Sequence, residues 1–593
     1  MPDWSYRTFI RPVLLGLHPE RARRIAVGAL SRFGNNWIGR VLIDFLGHMR
    51  ADGRLARQFA GCSFPGPVGI GSVLDPEGRA LNTFGSFGCG FLVIGPIAEK
   101  TCRPVDWEVD VSASRIMHRG AEPTVSVEEA ATALSNRVHL EVPVFARMET
   151  VNVEMIRRIA PFVAGLIIPH SDISCLEEIQ TIFRGMILVA VPKTQEECAD
   201  CADGVWMDRC GEISIGKVQK IRSALGDKII VCSGITSPVQ AREFLECGAS
   251  LVCVEAGLAL SGPGLVKRTN EALLSLLPAP PPPPLTLDAA RMSWFWSLML
   301  GIAMIAGGII AVALSAGRVI LPYDEALCGI PRSAFAEINP RLLPFMAHDR
   351  MTLAGTMLSI GILYTAIAWC AVRRGQHWAK NALVLSSGSG FFSFFLFLGF
   401  GYFDPFHAFI TAVVVQLVFF ALYAPLGESH PPLVADWHET PEWRRGQWGQ
   451  LLFILMGVGL CGAGLVISYV GCTSVFVGTD LEFLQITAAK ALVGTDKLIP
   501  LIAHDRASLG GMLISNGIII WLAAQWGIRA GARWLWNAFA MAGNAAFATA
   551  VGVHIAVGYT SWLHLVPALV AWIFWNTALA LTRGWMCRSV VLQ

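Results

Sequence analysis

Apolar residues follow two different patterns along the chain. Between residues 60 and 275, short apolar runs such as PVGIG, GFLVIG, AGLIIP and KIIVCSG alternate with helical segments. Strands separated by helices predict parallel βα units, and the number of units here fits a TIM barrel. After residue 290 the apolar runs lengthen to about 20 residues, which is the length of a membrane-spanning helix.

The long apolar segments predict eight membrane spans. They cover residues 294–316, 351–372, 379–400, 406–425, 450–470, 507–527, 534–557 and 562–581. With eight spans, the basic loop residues all fall on one face, and basic loops are typical of the cytoplasmic side. Examples are Arg373, Arg374, Arg444, Arg445 and Arg583. We therefore expect a multi-pass protein of an inner or plasma membrane, with the barrel and both termini in the cytoplasm.

The membrane region contains an internal repeat. The segment LLPFMAHDRMTLAGTMLSIG at 342–361 returns as LIPLIAHDRASLGGMLISNG at 498–517, an offset of 156 residues. The same offset relates Asp324 to Asp480, and after a one-residue insertion His407 matches His564. Because each copy holds four spans, both copies would have the same orientation. The pattern predicts an all-α domain of two parallel four-helix repeats.

Polar residues of both repeats gather near the predicted outer face. A His-Asp-Arg triplet opens the second span of each repeat, and another histidine begins the fourth span. His554 lies within the seventh span, where the other repeat has Phe397. Such residues cap helices and bind interfacial groups, or they form a metal, haem or pigment site, since histidine is a common ligand. The candidate ligands are His348, His407, His504, His554 and His564.

Composition separates the two regions and excludes some functions. The chain has 593 residues, of which 54% are hydrophobic and 15% charged, whereas soluble domains have roughly 25% charged residues. The net charge is +2, and without a basic patch nucleic-acid binding has no support. A proline run at 280–284 favours an extended spacer. We expect membrane-facing amphipathic helices (1–55), a barrel (56–277), a proline-rich linker (278–293), a first membrane repeat (294–428), a cytoplasmic loop (429–449) and a second membrane repeat (450–593).

Three stretches of the first region carry a family resemblance. They are YRTFIRPVLLGLHPERARRIAVGAL, GPVGIGSVLDPEGRALNTFGSFGCGFLVIGPI and SGITSPVQAREFLECGASLVCVEAGLALSGPGLVKR. Residues 5–275 resemble class 2 dihydroorotate dehydrogenase, which is quinone-dependent and membrane-associated. The resemblance implies an α/β TIM barrel that binds FMN and reduces quinone, preceded by a pair of amphipathic helices lying on the membrane.

The family's catalytic motifs are degenerate in this sequence. Pro76 stands where the family has a lysine at the flavin, and Ala190 aligns with a second flavin lysine, three positions before Lys193. The stretch at the family's catalytic serine offers only Ser171 and Ser174, without the expected neighbours. Ser171, Ser174 and Lys193 are therefore the candidate catalytic residues that the resemblance leaves.

The family's phosphate-binding glycine turns are retained. By the resemblance, the candidate cofactor-binding residues for FMN are Ser233, Gly234, Gly257 and Gly262. Glu255 stands where the family has tyrosine, and its carboxylate would repel a phosphate. Asp208 begins the stretch that replaces an Asn-Thr-Thr motif of the family.

Three functional hypotheses follow. The first is a pseudoenzyme, a barrel that is catalytically inactive or repurposed as a structural or accessory subunit, whose partners are the lipid bilayer and other membrane proteins. The second is a divergent FMN-dependent oxidoreductase, similar to dihydroorotate dehydrogenase (quinone), that passes electrons to membrane quinone. The third is haem, metal or pigment binding by the histidines of the membrane domain.

Overall fold

The protein forms two compact units in a computed structural model. One unit, called here the barrel unit, comprises Met1–Pro278 and Pro431–Thr440; the other, the helical unit, comprises Ala279–His430 and Pro441–Gln593. The structure describes residues 3–47, 49–103, 107–111, 115–118, 123–138, 142–191, 203–208, 215–278, 287–394, 399–400, 405–430, 434–488 and 494–588.

Eight parallel strands close a barrel in the barrel unit. They are β1 (Val68–Ile70), β2 (Leu92–Ala98), β3 (Val144–Met148), β4 (Gly165–Pro169), β5 (Met186–Val191), β6 (Gly204–Met207), β7 (Ile229–Ile235) and β8 (Leu251–Val254). Each strand pairs with the next, and β8 pairs with β1. Helices accompany the strands at Leu81–Gly85, Val127–Ser135, Val153–Ile159, Leu176–Ile182, Ile215–Leu225, Pro238–Glu246, Ala256–Ser261 and Gly264–Leu274. The predicted TIM-like barrel is confirmed.

Short antiparallel pairs flank the barrel. Arg57–Phe59 pairs with Cys62–Phe64, and Trp107–Asp110 pairs with Arg115–His118. The two-residue strand Val125–Ser126 adds to the end of β2 in parallel.

Aromatic side chains fill the barrel interior. They are Phe64, Phe91, Phe145 and Trp206, each at most 2% exposed. Glycines on the strands make room for them, because a Cβ at Gly69 would lie 2.3 Å from the Phe91 ring and one at Gly165 would lie 2.2 Å from the Phe145 ring. The interior is thus a packed core, as in other TIM barrels.

Several helices precede the barrel, and many of their apolar side chains are exposed. Their bounds are Asp3–Ser5, Tyr6–Ile10, Arg11–Leu15, Pro19–Gly34 and Trp37–Gly47. The large exposed apolar side chains on them are Phe9, Val13, Leu15, Ile25, Phe33, Trp37, Ile38, Val41 and Leu42. Exposed apolar side chains on helices are typical of a membrane interface. Membrane contact by these helices stays a prediction.

The helical unit contains eight principal helices among its described residues. They are α1 (Ser293–Ala316), α2 (Leu342–Cys370), α3 (His377–Phe394), α4 (Pro405–Tyr423), α5 (Pro441–Cys472), α6 (Leu498–Gly527), α7 (Arg533–Val557) and α8 (Trp562–Met586). Six helices, α1, α2 and α5–α8, are long and apolar enough to cross a membrane. The shorter α3 and α4 lie at the third and fourth predicted spans, so eight spans stay a prediction.

The helix bounds correct one part of the sequence analysis. The second and sixth spans were expected to begin at 351 and 507, but α2 begins at Leu342 and α6 at Leu498. The aspartates of the two His-Asp-Arg triplets therefore lie inside their helices and do not cap them. Capping falls instead to Asp324 and Asp480, whose carboxylates accept the backbone N–H of residues 321 and 477 at the starts of short helices.

Part of the segment between α4 and α5, Pro431–Thr440, belongs to the barrel unit. The sequence analysis expected a cytoplasmic loop at 429–449. In this segment Glu439 accepts hydrogen bonds from Arg7 at 2.5 Å and Arg268 at 3.4 Å. Burial alone would raise the pKa of Glu439, but the hydrogen bond from Arg7 and the charges of both arginines outweigh burial and lower that pKa. The segment ends at Thr440, since α5 already begins at Pro441.

The substitution Glu439→Gln should lower the thermal stability of the barrel unit. Hydrogen bonds to charged groups contribute about 1.5–3 kcal/mol, and we expect the lower end because the Glu439 side chain is 30% exposed. Since its folded-state pKa is lowered, the stabilisation is present above the ordinary pKa of 4.5 and disappears as the pH falls through the lowered value.

Melting of the purified full chain at neutral and acidic pH tests this effect. The variant should melt earlier at pH 7, and its difference from the wild type should shrink in acid. The exposed Glu178→Gln provides the control. Equal melting of the two variants at pH 7 would contradict the prediction.

Candidate functional site

An ion pair crosses the mouth of the barrel at the carboxyl ends of the strands. Arg147 of β3 donates from Nη2 to Oδ2 of Asp208, which follows β6, at 3.0 Å. Because β4 and β5 separate these strands in the barrel order, the pair spans the opening. The Nε1–H of Trp206 in the interior donates to the other oxygen of Asp208 at 2.6 Å. The mouth ion pair thus occupies the face where TIM barrels place their active sites.

The predicted phosphate turns follow β7 and β8. Ser233 is fully buried, and Gly234 has a φ of +82° that favours glycine. At Gly257 a Cβ would lie 2.8 Å from the Ile235 carbonyl oxygen, so the close backbone approach requires glycine. The buried carboxylate of Glu255 lies 2.7 Å from the place where Gly71 would carry a Cβ. The two turns thus combine the close backbone approach that a phosphate site requires with a buried carboxylate beside it.

The N-terminal segment packs onto the turn after β8. Gly262 has a φ of +96°, and a Cβ there would lie 2.6 Å from the ring of Tyr6. The hydroxyl of Tyr6 donates to the Ala259 carbonyl oxygen, and burial raises the pKa of Tyr6 to about 12. A Cβ at Gly264 would likewise lie 2.6 Å from the Asp3 carboxylate. Gly262 therefore has a packing role, which sequence reasoning did not identify.

The two candidate catalytic serines lie on an exposed turn. Ser171 and Ser174 lie in the helical turn His170–Cys175 after β4, and both are exposed. Ser171 donates to Oδ1 of Asp172 at 3.0 Å, a local bond within this turn. Lys193 lies outside the described residues, so its role stays a prediction.

An apolar cavity lies between the N-terminal helices and the barrel. Its volume is about 160 Å³. At its wall, Arg23 binds Glu20 at 2.9 Å and Glu77 at 3.3 Å, and its guanidinium lies 5.5 Å from the centre of the Trp107 ring. The lining includes Leu14, Ala26, Leu30, Phe84, Phe87 and Leu258. Periodicity could not reveal this cavity, because its two walls are distant in sequence.

In the helical unit, each arginine of the triplets holds two aspartates. The Nε of Arg350 donates to Asp505 at 2.8 Å, and its Nη1 donates to Asp324 at 2.7 Å. Asp324 comes from the same half of the unit as Arg350, whereas Asp505 comes from the other half. The guanidinium therefore connects the two halves.

The same bonds recur 156 residues further along the chain. Arg506 donates to Asp349 at 3.1 Å and to Asp480 at 2.6 Å. Thus the arginine of each triplet pairs with the aspartate of the other triplet, an arrangement that we call the exchanged ion pairs. The four aspartates are at most 6% exposed, so their charges depend on these two guanidinium groups.

Three of the five candidate histidines come together. One ring nitrogen each of His348, His554 and His564 lies within 4.8 Å of the others, and we call these residues the histidine triad. The Nε2 atoms of His348 and His554 are 3.1 Å apart. His407 and His504 form a separate pair with ring centroids 5.9 Å apart. The sequence named all five residues but could not show which ones meet.

Comparison with known proteins relates the barrel to one family, although no protein-family model matches the chain. It is 32% identical over 114 residues to dihydroorotate dehydrogenase (quinone) of Actinobacillus succinogenes, covering 18% of this chain and 32% of that protein. It is 34% identical over 93 residues to the Acidithiobacillus ferrooxidans protein of that name, covering 15% and 25%. The chain thus spans about a quarter to a third of the length of these relatives.

Two solved structures of dihydroorotate dehydrogenase are also similar to part of this chain. A crystal structure of DHODH from Eimeria tenella in complex with ferulenol has 19% identity and a TM-score of 0.35, covering 45% of this chain and 94% of that chain. The ligand-free enzyme from the same organism has 17% identity and a TM-score of 0.33, covering 40% and 93%. On the basis of the sequence relatives, part of this chain resembles quinone-dependent dihydroorotate dehydrogenase, and its closed eight-stranded parallel barrel agrees with that resemblance.

Proposed function

We propose that this protein is a membrane-embedded pseudoenzyme, in which a barrel related to quinone-dependent dihydroorotate dehydrogenase serves as a structural or accessory subunit of a membrane complex. The observation that carries the proposal is the mouth ion pair. It ties Arg147 to Asp208 across the face where a flavin and substrate would bind, and it pairs the Arg147 guanidinium with a carboxylate of the chain itself.

Dihydroorotate oxidation makes demands that these residues do not meet. The reaction needs a positioned base, donors for the orotate carboxylate and a flavin that accepts hydride. Here Pro76 and Ala190 replace the lysines that the resemblance implies, and Ser171 is exposed and bonded locally. The carboxylate of Glu255 beside the phosphate turn further disfavours FMN. Loss of a single positioned base typically slows a reaction by about 10²–10⁴-fold.

The helical unit would anchor this barrel in the bilayer. We infer eight spans in two parallel four-helix repeats, with the barrel and both termini on the cytoplasmic side. Six apolar helices, the basic residues on one predicted face and the recurrence of the exchanged ion pairs at an offset of 156 residues support this topology.

The apolar cavity supports one feature of the oxidoreductase hypothesis, which is a bound quinone. A cavity walled by leucine and phenylalanine, next to helices with open apolar faces, suits the tail of a quinone or another lipid. An oxidoreductase would need a bound flavin to exchange electrons with such a quinone. A pseudoenzyme could retain the tail as a membrane anchor, so flavin content separates the two hypotheses.

Bound flavin and turnover in the purified full chain test the proposal. In mild detergent, with FMN supplied during purification, we expect no stoichiometric flavin and no dihydroorotate-dependent quinone reduction. An active quinone-dependent dihydroorotate dehydrogenase, treated identically, is the positive control. Stoichiometric FMN together with turnover would overturn the proposal and establish the oxidoreductase.

A further inference from the structure

We propose that the histidine triad binds a transition-metal ion, and that its three-imidazole donor set suits Zn²⁺. His348 lies near the start of α2, His554 near the end of α7 and His564 near the start of α8, so the ligands meet at one end of the helical unit. Imidazole nitrogens at about 2.0–2.1 Å from a tetrahedral zinc stand about 3.3 Å apart. The Nε2 atoms of His348 and His554 are already 3.1 Å apart.

The hydrogen bonds of the two buried histidines prepare their Nε2 atoms for a cation. Nδ1 of His348 lies 2.9 Å from the Asp349 carboxylate, and Nδ1 of His554 lies 2.6 Å from the Ala550 carbonyl oxygen. Both partners accept, so both Nδ1 atoms carry the proton. The two Nε2 atoms then face each other, and the cation that lies between them is either a shared proton or a metal ion.

This arrangement matches the surroundings of known metal ligands. A metal-binding histidine almost always donates its other N–H to a carboxylate, a carbonyl or water, which fixes the tautomer and orients the ring. The acceptor is a carboxylate for His348 and a backbone carbonyl for His554. A histidine pair retained only for packing would not need both rings to hold the same tautomer.

The third histidine is held by Tyr559. The two rings stack with centroids 4.6 Å apart, and the tyrosine hydroxyl lies 3.4 Å from Nδ1 of His564. That hydroxyl donates to Asp480 at 2.7 Å, leaving its oxygen free to accept. The Nδ1 atom of His564 therefore has a longer contact with its partner than the Nδ1 atoms of His348 and His554 have with theirs. Asp480 also accepts a hydrogen bond from Arg506, so it connects the triad to the exchanged ion pairs.

The charge of the surroundings also favours a divalent cation. Arg350 and Arg506 together contact four buried carboxylates, so carboxylates outnumber guanidinium groups two to one among these contacts. Asp349 is one of the four and contacts His348 directly. A divalent ion bound by the triad would place positive charge beside these buried carboxylates, and a buried charge is stabilised by such a partner.

The triad combines His348 of the first repeat with His554 and His564 of the second. The positions aligned with His348 and His564 are His504 and His407, but the position aligned with His554 is Phe397, which lies outside the described residues and has no donor atom. Of the two equivalent sets of positions, one therefore has three imidazole donors and the other has two. Three protein ligands leave a tetrahedral metal with one open position, as in sites where the metal binds water or exchanges ligands.

The three rings of the triad leave no room for a haem between them. The three rings contact each other, with centroids 4.3 Å, 5.2 Å and 5.4 Å apart. A haem between any two of them would need space for the macrocycle. A single small ion fits instead.

Metal content and metal titration of the full chain in detergent test the proposal. The wild type, expressed with added zinc and desalted, should carry about one zinc per chain by mass spectrometry. Stripped protein titrated with Co²⁺ should develop the visible absorption of tetrahedral cobalt. The variant His554→Phe introduces the residue that the first repeat has at the aligned position, Phe397. It should lower the metal affinity by at least about 100-fold, because it removes a direct ligand. Even the loss of a residue that hydrogen-bonds to a ligand costs about 10–100-fold in metal affinity.

The control variant is His504→Phe, which changes the residue of the second His-Asp-Arg triplet that is equivalent to His348 but is not a member of the triad. It should retain the metal and the cobalt spectrum. Gel filtration and melting of each variant establish that the chain is folded. Wild-type protein that binds neither zinc nor cobalt would overturn the proposal, as would equal metal binding by a folded His554→Phe variant. Because these readouts do not involve flavin, they are independent of the proposed function.

Discussion

The substitution Arg506→Met should destabilise the helical unit by about 3–5 kcal/mol, the range for removing one partner of a buried ion pair. Arg506 is the hydrogen-bond donor to both Asp349 and Asp480. These aspartates are 4% and 0% exposed, so water cannot replace the lost guanidinium. The variant should accumulate poorly and melt far below the wild type.

Melting of the detergent-purified chain measures this loss, and the exposed Arg583→Met on α8 is the control. Adding Asp349→Asn to Arg506→Met should restore part of the stability, because one of the two stranded charges disappears. The interaction energy from this double-mutant cycle should exceed the scatter of about 0.3–0.5 kcal/mol seen for independent sites. If Arg506→Met melts like Arg583→Met, the exchanged ion pairs do not contribute measurably to the stability of the helical unit.

Sequence reasoning succeeded where a feature depends on local periodicity. The short apolar strands between helices predicted the barrel, and the long apolar runs indicated the helices that could span a membrane. It placed the starts of α2 and α6 too late because hydropathy falls at the charged triplets. In the structure these charges are paired inside the helices, at Arg350 with Asp505 and at Arg506 with Asp349.

The candidate sites depended on contacts between distant residues, which a single sequence does not display. His348 and His554 are 206 residues apart in the chain, and nothing in their spacing indicates that their Nε2 atoms meet. The mouth ion pair was also missed, although Asp208 had been noted as a departure from the family. A motif comparison shows which residue was replaced but not which new partner it found.

Trp206→Ala should cost the barrel unit about 3–5 kcal/mol, the usual range for truncating a large buried aromatic. The side chain is 1% exposed and meets the Phe91 ring edge-on at 6.5 Å. Its loss would leave a cavity at the centre of the barrel and would remove the indole donor from Asp208. The mouth ion pair would then lose part of its support.

Hydrogen-exchange mass spectrometry on the full chain resolves this effect by region. Peptides from β5–β7 should exchange faster in Trp206→Ala, while those from α6–α8 should keep their wild-type rates. Trp206→Phe retains most of the ring and loses only the N–H, so it should have a smaller effect that is centred on Asp208. Trp562→Ala, at a side chain 70% exposed, is the control for tryptophan loss. Unchanged protection of β5–β7 in Trp206→Ala would mean that the aromatic interior does not hold the barrel closed.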